Sequence, residues 1–137
     1  MATATYHQPS DLVGENCQKA GFSNAVVLPA NSKIVITAGQ AGVDRTTGEL
    51  VETSVADQIE AAFIGADLAL KAAGVTAGLG AAHKILTFLI DMRYESVMME
   101  IWKRKWPGHL PTWTCVGVSN LSMRGMFVEM QAEAVLQ

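Results

Sequence analysis

Apolar and polar side chains alternate near the end of the chain with the two-residue period of a β-strand that has one buried face. In segment 127–135, Met130, Ala132 and Ala134 share one face. The opposite face carries polar side chains, namely Glu129, Gln131 and Glu133. We expect the apolar face to pack on a core and the polar face to line a wet cleft or a subunit interface. Segment 111–118 is predicted to be a neighbouring strand.

The middle of the chain shows helical periodicity twice. The first helix begins after Thr53 or Ser54, which can cap it, and stops at Gly74. Its apolar stripe has i, i+3, i+4 spacing and consists of Ile59, Ala62, Phe63, Ala66 and Leu70. A second helix is predicted over 94–106. The uninterrupted apolar run 85–90 between them predicts a central strand buried on both faces.

The first third of the chain has weaker patterns. Residues 1–20 lack sustained periodicity and are predicted to be an irregular arm ahead of a single domain over 21–137. Segments 25–28 and 33–38 are predicted to pair as a β-hairpin around turn-forming residues. The order is therefore β-β-α-β-α-β-β, which is an α+β fold with two helices on one face of a mixed sheet. The other face then needs burial by self-association, so we expect an oligomer.

Composition narrows the classes of partner. The 137 residues are 50% hydrophobic and 17% charged, with a formal net charge of −3. A slightly acidic chain lacks the excess of positive charge that nucleic-acid-binding proteins use, and it gives no reason to expect an anionic membrane as partner. Two cysteines without close spacing imply no disulfide framework, and no targeting segment is visible, so we expect a cytoplasmic protein.

Cofactor and metal motifs are weak. Gly78-Leu79-Gly80 follows a predicted helix rather than a strand, so it does not fit a dinucleotide loop. His7, His83 and His109 lack ligand spacing and are interpreted as surface or structural residues. The sequence therefore predicts neither a cofactor nor a metal site.

Three features have a structural and a functional interpretation. The basic, aromatic segment 102–106 could contact nucleic acid, but a helix end whose cations suit the negative end of the dipole is the simpler interpretation. Cys115 is either a small buried hydrophobe or, with an activating neighbour, a nucleophile. Glu129 lies mid-strand, where a carboxylate needs solvent or a partner. It is either a rim carboxylate paired across an interface, or a functional residue that acts as a general acid or anchors a water molecule.

At these residues the chain resembles the RidA/YjgF family over about residues 21–136. The matching pieces, in chain order, are Thr37-Ala38-Gly39-Gln40, Thr47-Gly48-Glu49 with Gln58 in the following helix, Ala72-Ala73-Gly74, Lys84, Leu89-Ile90-Asp91-Met92, Pro111-x-x-Thr114-Cys115-Val116 and Val128-Glu129-x-x-Ala132. The resemblance implies a chorismate-mutase-like subunit and a homotrimer with three clefts between subunits. It also implies hydrolysis of reactive enamines and imines to keto acids and ammonia.

The family's functional residues are matched in part. Gly39, Cys115 and Glu129 occupy the positions of the turn glycine, the strand cysteine and the acid that positions or protonates the attacking water. The remaining three positions differ from the family pattern. Trp113 stands where the resemblance expects the arginine that grips a substrate carboxylate, Phe22 where it expects a tyrosine, and Ala38 where it expects a serine.

The indole at 113 changes the expected substrate. A guanidinium binds a carboxylate through two charge-assisted hydrogen bonds, whereas an indole offers one neutral donor and a large apolar face. We therefore expect acid-assisted hydrolysis or tautomerisation of an imine, an enamine or a related carbonyl compound without a carboxylate. A trimer that binds a ligand or stabilises a partner without chemistry is the alternative. Ribonuclease action is a third interpretation, disfavoured by the acidic balance.

Overall fold

A computed structural model describes residues 3–136. Residues 1, 2 and 137, which the predicted arm and domain include, lie outside the described part. The regular elements are β1 (Thr5–His7), α1 (Leu12–Ala20), β2 (Ala25–Val27), β3 (Ile34–Ile36), β4 (Gln40–Ala41), α2 (Val55–Ala72), β5 (Ala82–Leu89), α3 (Glu95–Lys105), β6 (Thr112–Gly117) and β7 (Val128–Val135). Short 3-10 turns occupy Gly78–Ala81 and Met92–Tyr94.

The main sheet is mixed. Its order is β3-β7-β5-β6, and β4 extends the pairing along β7. Strands β5 and β6 run parallel, while β7 is antiparallel to β3, β4 and β5. Helices α2 and α3 pack on one face of this sheet. The predicted α+β architecture is confirmed, and the predicted element order holds over residues 25–135 with β4 in addition.

Helix α2 supplies one wall of the core. Every residue of its predicted stripe is at most 1% exposed. Ser54 caps the helix, because its hydroxyl oxygen accepts the backbone N–H of Asp57 at 3.0 Å. Gly74 follows the helix with a φ of 101°, a left-handed conformation that glycine adopts without steric cost.

Gln58 ties α2 to the loops beside the sheet. It is fully buried, and its side-chain amide donates to the carbonyls of Val51 and Gly125 at 2.9 and 3.1 Å. Its carbonyl accepts the backbone N–H of Phe127 at 2.5 Å. One side chain thus satisfies three backbone groups and fixes the chain just before β7.

The prediction of an irregular arm over 1–20 is wrong for residues 5–7 and 12–20. Asp11 caps α1 by accepting the N–H of Gly14 at 2.9 Å, and Gly21 ends the helix with a φ of 112°. The helix buries only Gly14 among its nine residues. Its nine residues are too few for a sustained apolar repeat, which is why periodicity missed it.

The predicted hairpin of segments 25–28 and 33–38 is also wrong. Strand β2 pairs with β1, placing Tyr6 opposite Val26, in a separate two-stranded sheet. Strand β3 pairs instead with β7, placing Ile36 opposite Glu133. Once residues 5–7 form a strand, they provide a partner for β2 that the expected irregular arm did not.

One face of the main sheet stays uncovered within the chain. In β5, Lys84 is exposed and Leu86 and Phe88 are half-buried, so the strand is not buried on both faces as predicted. On β3, which lies on the far side of β7, Ile34 and Ile36 are 39% and 59% exposed. This uncovered face, which we call the open face, also carries Glu129, Gln131 and Glu133 by the alternation of β7.

Candidate active site

Glu129 and Gly39 meet on the open face. Glu129 lies on β7, opposite Phe88 of β5 and Ala41 of β4. A Cβ atom placed on Gly39 would lie 2.5 Å from Oε2 and 2.7 Å from Cδ of Glu129. The carboxylate therefore rests directly on the glycine backbone, where a larger residue would displace it. Ala38 is exposed beside them, so three of the predicted site residues lie together.

Trp113 and Cys115 lie on the opposite face of the sheet. They pair with Ile85 and Thr87 of β5, whose side chains belong to the buried, helix-covered face. The Trp113 ring packs edge-on against Trp102, with ring centroids 5.1 Å apart. Its Nε1–H donates to the hydroxyl oxygen of the fully buried Thr87 at 3.0 Å. The single donor of the indole is thus already engaged inside the protein.

Phe22 is brought beside Trp113 by the segment that follows α1. The backbone N–H of Ser23 donates to the carbonyl of Pro111 at 2.9 Å, and Ser23 forms a parallel bridge with Thr112. A pocket of about 250 Å³ results between the end of α1, the first half of α3 and β6. It is lined by Ala20, Phe22, Glu95, Met98, Met99, Trp113 and Cys115. We call it the tryptophan pocket.

The predicted site residues therefore form two separate groups within one chain. Phe22, Trp113 and Cys115 line the tryptophan pocket on the helix side. Glu129 and Gly39, with Ala38 adjoining, lie on the open face. Since a β-sheet separates the two groups, a single cleft holding both requires residues from two copies of the chain.

Glu95 is a pocket residue that sequence reasoning missed. It is the first residue of α3 and is exposed at the pocket wall. Acidic residues are common in the first turn of helices because they suit the positive end of the dipole. Because this role is common, the sequence gives no reason to single out Glu95. Its position beside Cys115 follows only from the packing of α3 against β6.

The thiol of Cys115 is not set up as a nucleophile. Burial raises its pKa, and the nearby Glu95 carboxylate raises it further, whereas a hydrogen bond with Thr87 opposes both effects. A raised pKa keeps the sulfur protonated at neutral pH, and the thiolate is the reactive form. Cys115 is therefore suited to lining the pocket rather than to covalent chemistry.

A second and larger cavity of about 460 Å³ lies at the other end of the sheet. Tyr6, His83 and His109 line it together with residues of β7. His109 Nε2 lies 2.6 Å from the carbonyl of Ala82, which requires the proton on Nε2, and His83 Nδ1 is buried without a partner. Burial lowers the pKa of both imidazoles. Within residues 3–136, no three side chains of the metal-ligating types form a cluster.

The basic segment 102–106 serves the fold. Trp102 and Trp106 stack with ring centroids 4.7 Å apart over the core. Arg104 and Lys105 both pair with Glu60 of α2, at 3.4 and 3.2 Å. These contacts match the helix-end interpretation of the cations. No helix described in residues 3–136 combines the length and the hydrophobicity needed to cross a bilayer.

The fold and the position of these residues define a small α+β subunit with a mixed sheet open on one face. The family model described as Endoribonuclease L-PSP matches residues 16–136, and the chain belongs to this family, which includes RidA and YjgF. The mouse 2-iminobutanoate/2-iminopropanoate deaminase is 32% identical over 114 residues, covering 83% of this chain and 80% of that protein.

Solved structures share the fold. YyfB of Yersinia pestis, a Rid-family protein of unknown function, superposes with a TM-score of 0.82 at 19% identity, covering 98% of this chain and all of that one (100%). Escherichia coli TdcF, solved with bound serine, has a TM-score of 0.68 at 26% identity, covering 88% of this chain and 95% of that one. The family and fold predicted from the sequence are confirmed.

Proposed function

We propose that this protein hydrolyses small imines or enamines that carry no carboxylate, in clefts between the subunits of a homotrimer. The main support is the close contact between the Glu129 carboxylate and the backbone of Gly39, on the uncovered face of the sheet. Relatives named as imine deaminases support the reaction class. In this assignment one protomer contributes Glu129 and Gly39, and its neighbour contributes the tryptophan pocket.

The open face supports the assembly. It combines the exposed apolar side chain of Ile36, which is 59% accessible, with half-buried Leu86 and Phe88 and three polar groups of β7. Apolar surface next to polar groups is typical of an interface between subunits. Covering this face in an oligomer would also bring Glu129 close to a second chain.

The lining of the tryptophan pocket argues against a substrate carboxylate. Among the residues described, no lysine, arginine or histidine lines it, and the indole N–H of Trp113 is already donated to Thr87. A carboxylate bound there would lose its water without gaining a charged partner, which is costly. The mouse relative is named for 2-imino acids, and TdcF was solved with serine, an amino acid that carries a carboxylate. We infer that this chain takes a different substrate.

The proposed role of Glu129 in this hydrolysis is to transfer a proton. An enamine gains a proton at carbon and becomes an iminium ion, and water then adds to the carbon of the C=N bond and passes one proton to the nitrogen. The C–N bond breaks, so that a carbonyl compound and ammonia or an amine leave. Glu129 either holds the attacking water or donates the proton, as general acid–base catalysis requires.

The experiment compares two substrates, 2-aminoacrylate and an aromatic aldimine without a carboxylate, by following carbonyl release above the spontaneous rate. We expect turnover of the aldimine alone, and a loss of about a hundredfold in Glu129→Gln. Glu133→Gln is the matched control, since Glu133 lies on the same strand and face. Turnover of 2-aminoacrylate with none of the aldimine, or a fully active Glu129→Gln variant, would refute the proposal.

One observation favours a second candidate, a binding protein without chemistry. Trp113 is held by Thr87 and by the aromatic rings of Phe63 and Trp102. In this candidate its ring fills part of a former active site, which then binds a ligand without catalysis. Quenching of tryptophan fluorescence by a ligand, with no turnover of either imine, would favour this candidate.

A further inference from the structure

The tryptophan pocket is apolar with an acidic edge. Its walls are the rings of Phe22 and Trp113 and the thioethers of Met98 and Met99. Its two ionisable groups are Glu95 and Cys115, and neither is ever positively charged. Aromatic faces attract cations through their quadrupole, and a carboxylate adds a direct charge partner. The lining as a whole therefore favours a positively charged guest.

The cations that flank Glu95 along the chain are engaged elsewhere. Arg93 is bound by Asp91, with three side-chain hydrogen bonds of 2.6 to 3.0 Å. On the same helix, Lys103 donates to the carbonyl of Lys19 at 3.0 Å and Lys105 pairs with Glu60. In the part of the chain that the structure describes, no ion pair uses the Glu95 carboxylate. The carboxylate is exposed and borders the Cys115 thiol, a neutral hydrogen-bond partner, so its charge is available to a ligand.

We propose that Glu95 anchors the positively charged nitrogen of the substrate, which is a small hydrophobic iminium ion. This inference rests on the proposed function and names its substrate class. Glu95 acts as a specificity-determining residue, and Glu129 of the adjoining protomer retains the catalytic role.

The reaction fits such an anchor. An iminium ion R₂C=NH₂⁺ and one water molecule give R₂C=O and NH₄⁺, so the positive charge leaves with the nitrogen. The substrate is held by an ion pair, whereas the carbonyl product is neutral and loses that partner. An acidic pocket therefore binds the reactant more tightly than the carbonyl product, which favours release.

Binding can be measured without turnover. Three probes of similar shape, benzylamine, benzyl alcohol and benzoate, are titrated into the full chain by calorimetry at pH 7 and low salt. We expect benzylamine to bind most tightly and to weaken about tenfold in Glu95→Gln, because a hydrogen bond to a charged group is lost. Benzoate should bind poorly and improve in that variant. Added salt should weaken benzylamine alone.

Glu100→Gln is the control, since Glu100 is an exposed acid of the same helix and does not line the pocket. Equal binding of benzyl alcohol and benzylamine, or unchanged benzylamine affinity in Glu95→Gln, would overturn the anchor. Imine turnover that is indifferent to Glu95 would sink the anchor and leave the proposed function standing. Glu95-dependent binding of benzylamine without any imine turnover would support the anchor and refute the proposed function.

Discussion

The indole N–H of Trp113 donates to the hydroxyl of Thr87 at 3.0 Å across the parallel pair β5–β6. Thr87 is fully buried, so this bond satisfies a hydroxyl group that water does not reach. It holds the ring against Trp102 and leaves the apolar face of the indole to line the tryptophan pocket.

Breaking this bond from either side should lower the free energy of unfolding. Trp113→Phe removes the donor and leaves the Thr87 oxygen without it, and Thr87→Val strands the indole N–H. Each should cost about 1–3 kcal/mol, as for a buried polar group left unpaired. The double variant should cost less than the sum, because neither group then remains unpaired. Urea denaturation followed by circular dichroism measures all three. Strict additivity would show that the two residues act independently.

Gly39→Ala should impair activity while sparing the fold. The new methyl group would lie within 2.5 Å of the Glu129 carboxylate, which must move because it is the free end of a side chain. We expect a loss of at least about tenfold in imine turnover, since misplacing a catalytic group by an ångström is costly. Gly80→Ala is the control, because its nearest atom would be 3.6 Å away. Full activity in Gly39→Ala would show that the reaction does not depend on the position of the Glu129 carboxylate.

If the proposed oligomer forms through the open face, Ile36→Lys should dissociate it into folded subunits. Ile36 is 59% exposed on the open face, so the isolated subunit can place a lysine there in water. Burying that charge in an interface would be unfavourable. Sedimentation velocity should show a smaller species for Ile36→Lys, whereas Leu68→Lys, at a 41% exposed position on α2, should sediment like the parent chain. An unchanged assembly in Ile36→Lys would place the interface elsewhere.

Stability should fall as the pH drops from about 7.5 to 5.5. Burial lowers the pKa of His83 and His109 below the value of about 6.5 that an unfolded chain has. The unfolded state therefore binds more protons, so the stabilisation present above that value is lost as the pH falls through it. The charge of Glu133 moderates the shift at His83, and the bond to Ala82 moderates it at His109.

Chemical denaturation at several pH values measures this dependence. His83→Gln should flatten it, and His7→Gln, which changes an exposed residue, should leave it unchanged. Equal slopes for the parent chain and His83→Gln would mean that His83 does not contribute.

The sequence named the residues of both groups as site candidates, but it did not show that the sheet separates the two groups. The alternation around Glu129 correctly predicted which face of β7 is polar, because side-chain direction in a strand follows directly from residue order. The positions of Phe22, Trp113 and Cys115 were also identified. That these three lie across the sheet from Glu129 follows from the pairing of β6 with β5, which local pattern does not encode.

Glu95 and helix α1 are two further features that the sequence pattern could not predict. Glu95 has the ordinary features of a helix start, and its place in the tryptophan pocket depends on how α3 packs in the fold. Helix α1 is specified by a cap and a terminal glycine, and its nine residues are too few for a sustained apolar repeat, so periodicity could not reveal it.

By itself the sequence determined the buried faces of α2 and β7, the family and the identity of the unusual indole, because periodicity and residue type are local properties of the chain. The tertiary structure decided what the indole bonds, which carboxylate borders it and that Glu129 rests on Gly39. Each of those contacts joins residues distant in sequence. They exist only once strand order and register bring the segments together.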